Sequence, residues 1–167
     1  MKKFNYLIII CFLTLFSTSC DDLLDKEPEQ NDDLPGALIA DINGESFDFR
    51  YQPRAYEGGY DLGDGNGNYD AIFISGTTSV DFTRELWIDI INPAVGTFEI
   101  DPETLFSYIT YTYVFEDGTT ESYGSIAGSI TIVEYGDKIK GTFNATLINY
   151  DAVEIPIEGS FDLSISD

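Results

Sequence analysis

From residue 37 onward, apolar and polar positions alternate with a period of two, the spacing of strands with one face in a core and the other in water. The last third shows this most clearly. Ile139, Gly141, Phe143, Ala145 and Leu147 alternate with Lys138, Lys140, Thr142, Asn144 and Thr146. Val153, Ile155, Ile157, Gly159, Phe161, Leu163 and Ile165 repeat the pattern against Glu154, Pro156, Glu158, Ser160, Asp162 and Ser164. Before them, Ile126, Gly128, Ile130 and Ile132 alternate with Ala127, Ser129, Thr131 and Val133, and Tyr135-Gly136-Asp137 turns the chain. These three runs predict an antiparallel meander. Pro156 has no N–H to give a ladder, so the last strand should be an edge there or bulge.

Upstream, extended runs at 37–41 and 45–50 flank Asn43-Gly44, a pair suited to a two-residue hairpin in which both positions need positive φ. Further strands are predicted at 69–75, 84–92, 97–100, 106–115 and 119–123, with Pro93 and Gly96 breaking one interval and Glu116-Asp117-Gly118 turning another. Residues 102–107 predict one short helical turn, and no stretch has sustained helical spacing. The fold class is all-β: an antiparallel β-sandwich or partly open barrel of about 8–10 strands.

The recurring Gly-Thr/Ser-Phe triplets at 96, 141 and 159 read as packing devices rather than a repeat, since a glycine beside an inward aromatic lets the ring lie close to backbone. Ile42-Asn43-Gly44-Glu45-Ser46-Phe47, Gly96-Thr97-Phe98, Gly128-Ser129-Ile130-Thr131-Ile132, Lys138-Ile139-Lys140-Gly141-Thr142-Phe143 and Glu158-Gly159-Ser160-Phe161 together resemble a family of Bacteroidetes lipoproteins with a β-rich domain of unknown function. The resemblance covers most of residues 38–165. It implies a fold and an address, and it transfers no functional residue.

The N-terminus has the layout of an export signal. Lys2 and Lys3 precede an apolar stretch at 6–16, shorter than the roughly 20 residues a membrane-spanning helix needs. Ser17, Thr18 and Ser19 then lead to Cys20, which resembles the lipobox of bacterial lipoproteins, although Ser17 stands where that motif usually has Leu. The expectation is a signal peptide at 1–19 and a diacylglyceryl and palmitate-type anchor on Cys20; the alternative is an ordinary secretory signal cut near Ser19. Cys11, the other of the two cysteines, would leave with the signal, so no internal disulfide is expected in the mature chain. Residues 20–36 read as a lipidated cysteine and an acidic flexible tether, with Asp21, Asp22, Asp25, Glu27, Glu29, Asp32 and Asp33 against one Lys26. Acid directly after the cysteine resembles the signal that sends Bacteroidetes lipoproteins to the outer face of the outer membrane. Display at the cell surface is therefore expected, with a periplasm-facing domain as the alternative. Residues 37–167 would form one β-domain.

Charge narrows the partners. The chain has 30 acidic and 8 basic residues, a net of −22, and removal of Lys2 and Lys3 would make it more negative. Binding nucleic acid requires basic patches that neutralise phosphate, so nucleic acid is not an expected partner, whereas the membrane is, through the anchor. There is no His, and no Cys would remain beyond Cys20, which excludes Ser-His-Asp and Cys-His catalysis and histidine-ligated zinc. The expected role is a binding or structural module rather than an enzyme, with no required cofactor and an unidentified glycan or envelope protein as ligand. A hydrolase working with two carboxylates is the alternative class. Two places offer candidate ligand chemistry. Asp64, Asn66, Asn68 and Asp70 supply oxygens at alternate positions, as in the start of a calcium loop, although Tyr69 and Ser75 stand where such a loop has Gly and Glu. Tyr111 and Tyr113 share one strand face in an aromatic group with Phe106, Tyr108 and Phe115, joined by Tyr51, Tyr56, Tyr60 and Tyr123. Sugar stacking there would have Arg50, Arg54 and Arg84 for the hydroxyls.

Overall fold

In the computed structural model, the described residues are 37–63, 65 and 67–166. Cys20, the expected signal at 1–19 and the expected tether lie outside them. The described chain is a succession of ten strands with no helix: β1 (Ala37–Ile42), β2 (Glu45–Asp48), β3 (Tyr51–Asp61), β4 (Asn68–Thr77), β5 (Arg84–Ile91), β6 (Gly96–Glu99), β7 (Ser107–Val114), β8 (Thr120–Tyr135), β9 (Lys138–Asn149) and β10 (Glu154–Ser166).

The pairings run in a circuit from β10 to β3, β4, β5, β7, β8 and β9 and back to β10, with every ladder antiparallel except β10–β3. That seam is two parallel pairs, Ile165 with Ala55 and Ser166 with Tyr56. The β1–β2 hairpin adds to the free side of β10, and β6 to the free side of β8. This is the all-β, largely antiparallel architecture the alternation predicts. Asn43 at φ 53 and Gly44 at φ 83 close the first hairpin, as their residue types require. Pro156 pairs with Thr146 on β9, and on its β1 side it sits one step past Ile157, where the regular β1 ladder ends; its carbonyl accepts from Asn43 N at 2.9 Å. Its missing N–H therefore removes no bond.

Alternating residues of the circuit fill the interior, among them Ile72, Ile88, Ile109, Ile130, Ile139 and Leu163. The expected meander is present, and two of its glycines have a reciprocal use. Gly141 pairs with Phe161 and Gly159 with Phe143, so each ring lies on the other strand's glycine. A Cβ on Gly141 would meet the Phe161 ring at 2.5 Å and one on Gly159 the Phe143 ring at 2.5 Å, whereas Gly96 has open space around it. The triplets are packing devices at 141 and 159 and not at 96.

Two expectations are corrected and one is met. Residues 119–123 and 126–133 are one strand, β8, with bulges between Ser125 and Ala127 and between Ile132 and Glu134. The first bulge swaps the inward face from Tyr123 and Ser125 to Ile130 and Ile132, because one extra residue inverts a period of two. The segment 102–107 is a hydrogen-bonded turn, with Leu105 N donating to Asp101 O at 3.0 Å, and Ser107 already opens β7. Finally, β3 has no counterpart in the pattern, since Pro53 and Gly58-Gly59 interrupt it and Ala55 is its one fully buried residue.

Candidate functional site

The strands β3, β4, β5 and β7 carry aromatic and charged side chains on the face turned away from the core. Leu86, Ile88 and Ile90 of β5 point inward, so Trp87 and Asp89 point outward. Register then places their neighbours. Trp87 lies between Ser75 on β4 and Thr110 on β7, and Asp89 between Phe73 and Tyr108. On β3, Arg54 stands opposite Ser75, Tyr56 opposite Phe73 and Tyr60 opposite Tyr69. Tyr56 and Tyr60 stack on Phe73 with centroids at 5.1 and 6.3 Å, and Tyr69 meets Phe106 edge-on at 6.1 Å. The Arg54 guanidinium lies over Tyr56 at 5.7 Å and Trp87 at 5.4 Å, and its Nε donates to Ser75 Oγ at 3.0 Å. Small residues let these rings lie low. The Tyr108 hydroxyl sits where a Cβ on Gly124 would be, at 1.9 Å, and a Cβ on Gly58 would touch Phe73 at 3.0 Å.

Asp89 is the chemical centre of this face. Its Oδ1 is buried and has no hydrogen-bond partner, and burial pushes its pKa up from 3.8 to about 6. Burial also raises the Tyr108 hydroxyl, helped by the neighbouring Tyr60 and Asp89. A poorly hydrated carboxylate among ring faces, with a guanidinium two strands away, can hold a ligand that offers C–H surface to the rings and donors to the acid.

The sequence candidates fall elsewhere. Tyr111 and Tyr113 do share a face, but it is the inner one. Tyr111, at 6% exposure, belongs to the core, and its ring meets Tyr123 at 6.1 Å. Burial raises its hydroxyl against the opposing effect of the Arg84 charge. Tyr113 is covered by Arg84 at 4.5 Å and by the edge of Phe115 at 4.5 Å, and Arg84 itself is held between Tyr113 and Phe47, each 4.5 Å away. The β2 strand thus closes this end of the domain, and neither tyrosine offers a free platform; Tyr108, on the opposite face, does. Of the calcium candidates, Asp64 and Asn66 lie outside the described residues. Asn68 and Asp70 stand on β4, opposite Asp61 and Gly59, with Asp61 Oδ1 accepting from Gly63 N at 2.8 Å. No group of three or more metal-ligating side chains is assembled among the described residues.

Asp89, Phe73 and Trp87 were not singled out by motif. One signal for Trp87 and Asp89 exists: Leu86-Trp87-Ile88-Asp89-Ile90-Ile91 places an acid within a run of six that is otherwise apolar on both faces.

A second feature is a groove of about 570 Å³ across β1, β8, β9 and β10, lined by Asp41, Gly128, Asn144, Pro156 and Glu158 among others. Asp41 and Glu158 are directly paired across the ladder, but Asp41 Oδ1 is committed to Gly44 N at 2.8 Å and Glu158 is exposed. No protein-family model, no curated protein and no solved structure matches the chain.

Proposed function

We propose that the chain is a lipid-anchored protein of the outer membrane, displayed at the cell surface through Cys20, whose β-domain binds glycans on the outer face of β3, β4, β5 and β7. The anchor reading rests on the placement of Cys20 between an apolar run and an acidic tether, and it agrees with the resemblance to Bacteroidetes lipoproteins. The binding reading is carried by one observation: Tyr56, Phe73, Trp87 and Tyr108 face outward around Asp89, with Arg54 beside them. A pyranose ring presents C–H faces to such aromatics and hydroxyls to such charged groups. The chain has one Trp, Trp87, so its emission reports on this face. Oligosaccharides screened on a glycan array and titrated against Trp87 fluorescence should shift the emission, and Tyr108→Ala and Phe73→Ala should weaken binding at least tenfold. An array without a hit, or a hit indifferent to both variants, overturns the reading.

The alternative, a carboxylate-dependent hydrolase, has the groove at Asp41 and Glu158 as its support. Release of reducing ends from polysaccharide, lost in Glu158→Gln, would favour it, and absence of release removes it.

A further inference from the structure

Asp89 is more than a neutral sugar needs. A sugar hydroxyl can donate to a carboxylate, but it brings no charge to offset one that has lost water and found no donor. Nor do the described basic residues supply a countercharge. Arg50 pairs with Asp48, and Lys138 and Lys140 pair with Asp162, the former also with Glu134 at 3.2 Å. Arg84 is inside, between Phe47 and Tyr113. Arg54 shares the face of Asp89 but is laid over Trp87 and tied to Ser75, and it forms no ion pair with Asp89. Asp89 therefore carries a negative charge without an ion-pair partner in a patch it shares with aromatic rings and with the Arg54 guanidinium laid over two of them.

A cation is the ligand that both features select. Ring faces attract positive charge, and a desolvated carboxylate strengthens any charge-assisted hydrogen bond made to it. With Oδ1 buried and without a partner the carboxylate is poorly hydrated, and an ammonium that still carries hydrogen gives the group both a countercharge and a hydrogen bond, which a quaternary ammonium does not.

We propose that this face recognises an amino sugar with a free amine, the hexosamine ring stacking on the aromatic wall and its ammonium group resting on the Asp89 carboxylate between Phe73 and Tyr108. This rests on the glycan-binding reading and narrows it. Acetylation of that amine removes the charge, adds bulk, and leaves Asp89 covered by ligand with nothing to neutralise it. A hydroxyl in its place donates a bond without charge.

Three β-1,4-linked tetrasaccharides that differ only at C2 make the test: the glucosamine, N-acetylglucosamine and glucose oligomers. Each is titrated into the detergent-solubilised full chain at physiological salt, with binding read from Trp87 emission. The glucosamine oligomer should bind at least tenfold tighter than the other two. Asp89→Asn should weaken binding of the glucosamine oligomer at least tenfold and bring it level with that of the glucose oligomer. Because the whole molecule is acidic and gathers cations, Glu116→Gln, in a turn on another part of the surface, serves as the charge control and should keep the preference. Equal affinity for all three oligomers, or a preference that survives Asp89→Asn or falls equally in Glu116→Gln, overturns this inference and leaves the glycan reading standing. No binding of any of the three to the wild-type chain, alongside a hit for another sugar class on the array, also overturns it. An array without any hit removes both.

Discussion

Three glycines packed against rings separate what stability needs from what the outer face needs. At Gly141 a Cβ would meet Thr131 O at 2.2 Å as well as the Phe161 ring, and backbone cannot step aside. Gly141→Ala should therefore cost about 3 kcal/mol or more in denaturant unfolding, and Gly159→Ala, against Ile39 O at 2.2 Å, the same. At Gly124 the nearest atom is the free end of a side chain, the Tyr108 hydroxyl. Gly124→Ala should displace that tyrosine at a stability cost below about 1 kcal/mol while weakening ligand binding, a split that chemical unfolding and Trp87 titration would read separately. Asp89 makes a prediction of its own. Its pKa is raised on folding from 3.8 to about 6, so the folded state binds its proton more tightly than the unfolded chain. The stability this confers is full below about pH 4 and is lost as pH rises through 6. Asp89→Asn should match the wild type near pH 4 and be more stable at pH 7, by about 2 kcal/mol. Melting curves of the two chains across this range that stay parallel would contradict it.

Among the elements, β8 shows how a polar side chain repairs an irregularity. Where its ladder to β7 ends, beside the first bulge in its ladder to β9, Ser125 Oγ accepts from Ile109 N at 2.9 Å, in the interior. Ser125→Ala leaves that N–H without a partner and should cost about 1–3 kcal/mol in thermal or denaturant unfolding. The bulge also explains what the sequence concealed. Where the period of two holds, as in β9 and β10, strand and inward face are legible together. In β8 the period inverts at Ile126, and a single strand reads as two. Strand β3 was illegible for a different reason: with Pro53 and a glycine pair, it owes its place to the β4 ladder from Arg54 to Asp61 rather than to its own apolar face. The candidate face was hidden in part for the same reason as β3. Arg54, Tyr56 and Tyr60 sit on that strand, and alternation separates Tyr108 from Tyr111 without saying which side is the core. Only register, which brings Phe73, Asp89 and Tyr108 into one row, assembles the site.

For the whole molecule, the acidic surface and the proposed anchor act together. A chain with a net charge of −22 gains nothing from anionic lipid, so attachment would depend on the acyl chains alone. Cys20→Ala should abolish incorporation of labelled palmitate and release the protein from membranes into the soluble fraction; persistence in the membrane would refute the anchor. The short parallel seam between β10 and β3 bears on behaviour in time. Ala55 and Tyr56 meet Ile165 and Ser166 only after the intervening chain is in place, and the seam has two pairs to hold it, whereas the still more distant β1–β10 ladder has six. It should be the last to form and the first to open. Amide hydrogen exchange at Ser166 should thus be fast and set by local opening, whereas Ile88 and Ile109 exchange only with global unfolding. Such a domain would breathe along one line, next to Tyr56 and the aromatic wall, while the rest of its interior stays shut.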